Sequence, residues 1–440
     1  MGIIVLIIAM VIEISFVIYC IVTKSNQRRI KSFVRIGAFS TFVIFALVSV
    51  IKWSTRWKAL ALLLLIWAIL GVWSLIRNKK DKKEYKARRI VLKAIGTLIL
   101  VTISITPALI FPQYELPNIT GDYEIVTATY TYTDKSRIET FNDKGENREV
   151  NVEFWYPQNA DGTYPLVVFS HGSFGVKTSN TSTYMELASN GYVVCSIDHP
   201  YHSMLTVDAD GRFTMVDNSF LQEVLDCNNG VYNEEENLEI HKKWMKVRTE
   251  DMNFVVDTIV KNAEDKSSDK VYQLINTDKI GLMGHSLGGA TSAQVARERK
   301  DIDAVIDIDG EMDGEYVDIV NSKPVLNDKV YPVPILNFYS EDVMLLLKAN
   351  TDCVYPNKVI SKTASDAYEV YIKGTNHMSF TDMPLVSPFI VNMINGSIKN
   401  SSSDGKADKY YVIEKMNSIV LEFFDCYLKN KGSFNSAGTY

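Results

Sequence analysis

Cysteine and histidine are scarce in this chain, and no excess of positive charge is present. Five cysteines in 440 residues include no C-x-x-C pair, and the spacing of His199, His202 and His241 matches no zinc signature. No metal and no cofactor are therefore expected. A formal charge of −6 lacks the basic footprint of a nucleic-acid binder. The first apolar run has neither a basic leader nor a small-residue cleavage site, so it reads as an anchor rather than a cleaved signal peptide.

What the chain does have is unevenly spread. The first ~110 residues hold apolar runs longer than a water-soluble domain contains, and four spans are predicted at 3–22, 36–51, 59–76 and 90–111. Trp53, Trp57, Arg56 and Lys58 stand between the second and third spans, as interfacial anchors do. Glu13 and Lys93 are ionisable residues in or near spans; Lys93 can snorkel and Glu13 can face a neighbouring helix. Lys24, Arg28, Arg29, Lys31 and Arg35 load the first loop with positive charge. Arg77, Lys79, Lys80, Lys82, Lys83, Lys86, Arg88 and Arg89 load the third, which predicts that both face the cytoplasm. With four spans, an integral membrane protein with an extracytoplasmic domain after Phe111 is expected. Cys195 and Cys426 read as core residues on that side, and a disulfide between Cys227 and Cys353 is one possibility there.

Residues 1–112 form the expected membrane domain, 113–430 a second domain, and 431–440 a tail. Residues 123–133 and 149–156 alternate as hairpin strands do, with a turn at 142–147. Short continuous apolar runs at 166–170 and 192–197 suit strands buried on both faces of a parallel sheet. Further strands are predicted at 304–309, 333–339 and 368–372, with helices between them, so the fold class is α/β with a doubly wound, mostly parallel sheet. Residues 200–239 break the pattern and read as an insertion. Its Met204, Leu205, Phe213, Met215, Phe220 and Leu221 fit either a lid over an apolar pocket or a surface excursion with its own small core.

The chain is organised around GLMGHSLGG at 281–289, an apolar strand, a G-x-S-x-G turn and an alanine-rich helix. That is the context of the nucleophile elbow of α/β-hydrolases, and it makes Ser286 the candidate nucleophile. In that fold the acid and base follow the serine in order. Only one histidine follows Ser286, His377, which becomes the candidate general base. For the acid, sequence position leaves Asp309 and Asp342 tied; Asp307 lies on the wrong pleat face or too deep. The backbone N–H of Leu287 and that of Ser173, presented by the His171-Gly172 turn, are the candidate oxyanion donors, with His171 bracing the loop.

The strings LVVFSHGS at 166–173, LASNGYVV at 187–194, GHSLGG at 284–289, DGEM at 309–312 and IKGTNH at 372–377 resemble the platelet-activating factor acetylhydrolase (plasma or type II) family. The likeness runs over about 121–428 and leaves the membrane segment uncovered. It implies an acid at the position of Asp309, oxyanion donors at Ser173 and Leu287, and a metal-independent serine esterase or lipase. The implied substrate is a phospholipid with a short or modified acyl chain, met at the bilayer. The alternatives are a broad-specificity carboxylesterase of the dienelactone-hydrolase or cutinase type, or a non-catalytic, membrane-tethered binding protein on a hydrolase fold.

Overall fold

Each apolar run at the N-terminus becomes one helix: α1 Gly2–Val22, α2 Arg28–Leu47, α3 Thr55–Ile76 and α4 Ala87–Ile110. The computed structural model describes residues 1–77, 85–265, 267–320, 323–349, 354–397 and 406–440. At ~1.5 Å per residue the four helices are about 30 Å or more long, and all are apolar enough to cross a membrane. The second starts eight residues before the expected 36 and ends at Leu47. Arginine and lysine are good helix formers, so the charges at 28–35 mark the edge of the apolar stretch without ending the helix. Trp53 is exposed as an anchor should be, whereas Trp57 is fully buried against Phe42, Leu60 and Ile105 and serves packing instead. A Cβ on Gly71 would crowd the Ser32 carbonyl, so the small residue is what lets α3 approach α2. Glu13 lies 3.9 Å from Lys31 of the neighbouring α2.

By contacts the chain forms two units, Met1–Glu115 with Leu385–Met393, and Leu116–Pro384 with Ile394–Tyr440. The second is built on strands β1 Ile125–Ile138, β2 Asn147–Pro157, β3 Tyr164–Ser170 and β4 Val193–Asp198, with α5 Thr181–Ser189 between the last two. The expected insertion holds a ribbon, β5 Leu205–Val207 and β6 Phe213–Met215, and then α6 Asn218–Asn228. Its acidic Glu234-Glu235-Glu236 patch is the first turn of α7 Glu234–Glu264, where the helix dipole favours carboxylates and Asn233 with Glu236 closes a capping box. After α8 Lys270–Gln273 come β7 Ile275–His285, α9 Leu287–Glu298 and β8 Ala304–Ile308. A hairpin of β9 Tyr316–Val320 and β10 Lys323–Leu326 precedes β11 Ile335–Tyr339, α10 Glu341–Ala349, α11 Pro356–Thr363 and β12 Ala367–Tyr371. The chain ends with α12 Met383–Val386, α13 Pro388–Ser397, α14 Lys409–Lys429 and β13 Gly438–Thr439.

The main sheet runs β1-β2-β4-β3-β7-β8-β11-β12-β13, antiparallel at β1, β2 and β4 and parallel from β4 onward. This is the expected doubly wound sheet. Pleating sends Leu166 and Val168 into one core with Met252, Val255 and Ile259 of α7, and Val167 and Phe169 into the other with Ile419, Val420 and Phe423 of α14. Residues 431–440 are not a free tail. Phe434 packs on Phe423 and Tyr368, and Gly438–Thr439 adds an edge strand to β12.

Candidate active site

Parallel strands deliver their carboxyl ends to one edge of the sheet, the place where open α/β sheets gather their sites. The loops after β3, β7, β8 and β12 carry Ser173, Ser286, Asp309 and His377 respectively. Ser286 sits between β7 and α9 at φ 55°, ψ −127°, a left-handed conformation that costs a non-glycine residue energy and is typical of functional turns. The turn closes because a Cβ at Gly284 would strike the Gly288 carbonyl, and one at Gly288 would strike the Ser170 carbonyl. The Ser286 N–H is tied to the Ile308 carbonyl at 2.9 Å.

Asp309 also has a left-handed backbone, φ 53°. Its buried carboxylate accepts from His377 Nδ1 at 2.8 Å and from the Ser340 N–H at 2.6 Å. Burial pushes this carboxyl up, but the His377 hydrogen bond and charge and the Ser340 N–H outweigh it, leaving it below the usual range. Nδ1 therefore carries the proton and Nε2 of His377 is left as the basic nitrogen. The His377 side chain is a third exposed, open to an incoming proton donor. The other acid weighed from the sequence, Asp342, lies in the first turn of α10. Asp307 is fully buried and bonded to Asn357 Nδ2 and the Gly310 N–H, both at 3.0 Å; burial raises it to about 8, so it is largely protonated at neutral pH.

His285 had no role in the sequence reading, yet it joins the turn at Ser286 to His377. Its Nε2 donates to the His377 carbonyl at 3.0 Å and the two rings stand 4.5 Å apart. Burial, and then the neighbouring His377, lower it to about 3, so it is a neutral donor at physiological pH. Asn376 caps the turn that opens at His377, accepting from the Ser379 N–H at 3.1 Å.

Leu287 is the first residue of α9, where backbone N–H groups have no intrahelical acceptor. Its N–H and that of Ser173 find no acceptor among the described residues. A Cβ at Gly172 would come within 3.0 Å of Ser286 Cβ, so the Ser173 loop and the serine adjoin. The His171 ring braces that loop, its Nδ1 donating to the Gly172 carbonyl at 2.6 Å and its Nε2 accepting from Ser203 Oγ at 2.7 Å. Phe174, at φ 63°, is stitched to the insertion through its N–H to the His202 carbonyl at 3.0 Å and its carbonyl to the Met204 N–H at 3.2 Å.

Arg248 of α7 also escaped the sequence reading. Fully buried, it donates to the His171 carbonyl at 2.9 Å and the Gly172 carbonyl at 3.2 Å. Its spacing gives only a partial signal: Arg248 falls one turn from both Trp244 and Met252, on a buried helix face whose other charged member is Asp251. His199 and His202 join His171 around this guanidinium, whereas His241 pairs with Asp313 at 3.0 Å. Among the described residues, no three histidines, cysteines or carboxylates form a group that could hold a metal. Cys195, Cys227 and Cys426 are free thiols, and Cys353, the partner considered for Cys227, lies outside the described residues.

A family model for platelet-activating factor acetylhydrolase, isoform II, matches residues 138–438. A platelet-activating factor acetylhydrolase of Canis lupus familiaris is 27% identical over 296 residues, 63% of this chain and 60% of that protein. One from Cavia porcellus is 26% identical over 303 residues, 64% of this chain and 62% of the relative. The chain thus spans about 60% of the length of these curated relatives. Among solved structures, a ferulic acid esterase from Streptomyces cinnamoneus superposes with a TM-score of 0.55 over 74% of this chain and 96% of the esterase; at 20% identity it is evidence of the shared fold.

Proposed function

Because the chain belongs to the platelet-activating factor acetylhydrolase, isoform II, family, we propose that it is a membrane-anchored serine esterase that removes short or modified acyl chains from phospholipids. The observation that carries this reading is the 2.8 Å Asp309–His377 bond, with the His377 ring 4.5 Å from that of His285, the residue that precedes a serine held at φ 55° in a strand-to-helix turn. In the proposed reaction, Ser286 Oγ attacks the ester carbonyl and His377 Nε2 takes its proton. Asp309 keeps the imidazole in the required tautomer and stabilises its protonated form. The tetrahedral oxyanion is received by the N–H groups of Leu287 and Ser173. The protonated imidazole then gives its proton to the lysophospholipid oxygen as its bond to the acyl carbon breaks; water, deprotonated by the same histidine, attacks the acyl-serine, and the proton returns to Ser286 Oγ as the acid leaves.

The domain arrangement belongs to the same proposal: residues 1–112 anchor the protein in the cell membrane, and 113–430 act outside the cytoplasm on lipid esters. Phe220 and Val224 of α6 pack with Leu287 and Ala290 of the elbow helix, and Phe174 lies 5.4 Å from Phe220. These contacts favour a lid over a detached excursion. The substrate test compares acetyl, butyryl and palmitoyl phosphatidylcholines in vesicles with the intact chain. Preference for acetyl or butyryl supports the reading, whereas equal or faster palmitoyl turnover contradicts the chain-length part of it.

A further inference from the structure

Arg248 is a buried cation in an uncommon position. Its side chain is fully excluded from water, yet among the described residues no carboxylate comes within ion-pair distance. Its N–H groups go to neutral acceptors only: the His171 and Gly172 carbonyls, His202 Nδ1 at 3.3 Å and, at the long limit of 3.5 Å, Ser170 Oγ. Asp251, three residues on along the same helix and buried as well, is engaged by Arg148 at 2.7 Å, by Arg137 at 3.0 Å and by His199 Nδ1 at 3.0 Å. His199 Nε2 in turn meets Ser170 Oγ at 2.9 Å, so a fixed chain of hydrogen bonds sets the guanidinium's place. A buried charge without a partner anion is costly, and a stable site must answer it by aligned dipoles. Here those dipoles belong to the loop that adjoins Ser286.

The consequence follows from peptide geometry. A trans peptide is planar, with its C=O and the next N–H pointing in opposite directions, and the chain contains no cis peptide bonds among its described residues. Seating the Gly172 carbonyl on Arg248 therefore aims the Ser173 N–H the other way. The same carbonyl also accepts from His171 Nδ1 at 2.6 Å. A charge on the acceptor end of a peptide makes its N–H a stronger donor, as in any polarised chain of hydrogen bonds.

We propose that Arg248 is a positioning residue for ester hydrolysis: its guanidinium, acting through the Gly172–Ser173 peptide, aims and polarises the N–H that receives the oxyanion. This rests on the esterase reading above. The negative charge formed on the substrate in the transition state completes, across one peptide unit, the ion pair that Arg248 lacks at rest. Burial, and next the Arg248 charge, hold His171 and His202 well below the usual histidine range; burial lowers Arg248 as well, to about 9, which leaves it charged at neutral pH beside neutral imidazoles.

The test uses the full chain in detergent micelles with p-nitrophenyl acetate as substrate and a short-chain 1,1,1-trifluoro-2-ketone, whose serine adduct carries the oxyanion. Arg248→Gln keeps hydrogen-bonding groups and loses the charge. It should lose on the order of 10²-fold in kcat with KM little changed, and the ketone's Ki should rise by the same factor. Arg248→Lys keeps the charge but cannot span both carbonyls, so it should lose only about tenfold in both measures. If the Gln protein does not fold by thermal melting, the Lys protein carries the test alone. A folded variant that keeps the parent's kcat and Ki, or that changes KM alone, overturns the assignment, as does a Lys protein no better than a folded Gln protein. A parent that hydrolyses no ester and binds no ketone overturns the esterase reading and this assignment together, whereas an active parent with indifferent variants overturns this assignment alone.

Discussion

Asp307 and Asp309 are two residues apart, and their surroundings separate them into opposite protonation states. Asp309 is held ionised by His377, while Asp307 is raised to about 8 by burial. Asp309→Asn should therefore lower kcat by about 10⁴-fold, since the amide presents the wrong partner to His377. Asp307→Asn should leave kcat within a few-fold. Because the folded pKa of Asp307 lies above its unfolded value, its stabilisation is complete below ~4 and is lost as pH rises towards 8. Melting curves should accordingly show the parent losing stability over that window, and Asp307→Asn losing less. A Asp307→Asn protein as crippled as Asp309→Asn would reverse the assignment of the acid. Motif and chain order alone are enough to propose Ser286 and His377. They do not separate Asp309 from Asp342, since both follow a strand end; in the folded chain it is the carboxylate of Asp309, on a left-handed backbone, that meets His377. Arg248 and His285 stayed hidden because their partners are backbone carbonyls 77 and 92 residues away in sequence.

At the scale of elements, periodicity locates most of the strands but not the elements inside the insertion. A three-residue ribbon and an 11-residue helix leave too short a pattern to read, and the acidic start of α7 looks like a loop until its capping box is recognised. In the folded chain α6 packs on the helix that begins beside Ser286. Phe220 is buried between Trp244 at 5.4 Å and the His202 ring, on which it stacks at 3.9 Å. Phe220→Ala should cost about 3–5 kcal/mol in denaturant unfolding. If α6 walls the acyl pocket, the same change should also raise butyryl relative to acetyl turnover. Lost stability with an unchanged acyl preference would mean that α6 is only a support.

For the whole molecule, the four apolar helices were the plainest feature of the sequence, since length and composition suffice to find them. Their direction rests on the basic first and third loops, of which residues 78–84 lie outside the described residues. Alkaline phosphatase fused after Thr120 should be active in a bacterial host, and fused after Lys82 inactive; the opposite pair of results would put the second unit in the cytoplasm. The sheet order could not have been read from the chain, because β3 and β4 exchange places and β13 returns from the C-terminus to the far edge. The proposed chemistry depends above all on Ser286 being a nucleophile served by His377 and Asp309. The most direct measurement is turnover of p-nitrophenyl acetate by the full-length parent and by Ser286→Ala, with a fluorophosphonate label located by mass spectrometry. One label per chain on Ser286 is expected, with a loss of on the order of 10⁴-fold or more in kcat for the alanine protein. Equal turnover by the two proteins, or a label on another residue, would contradict it.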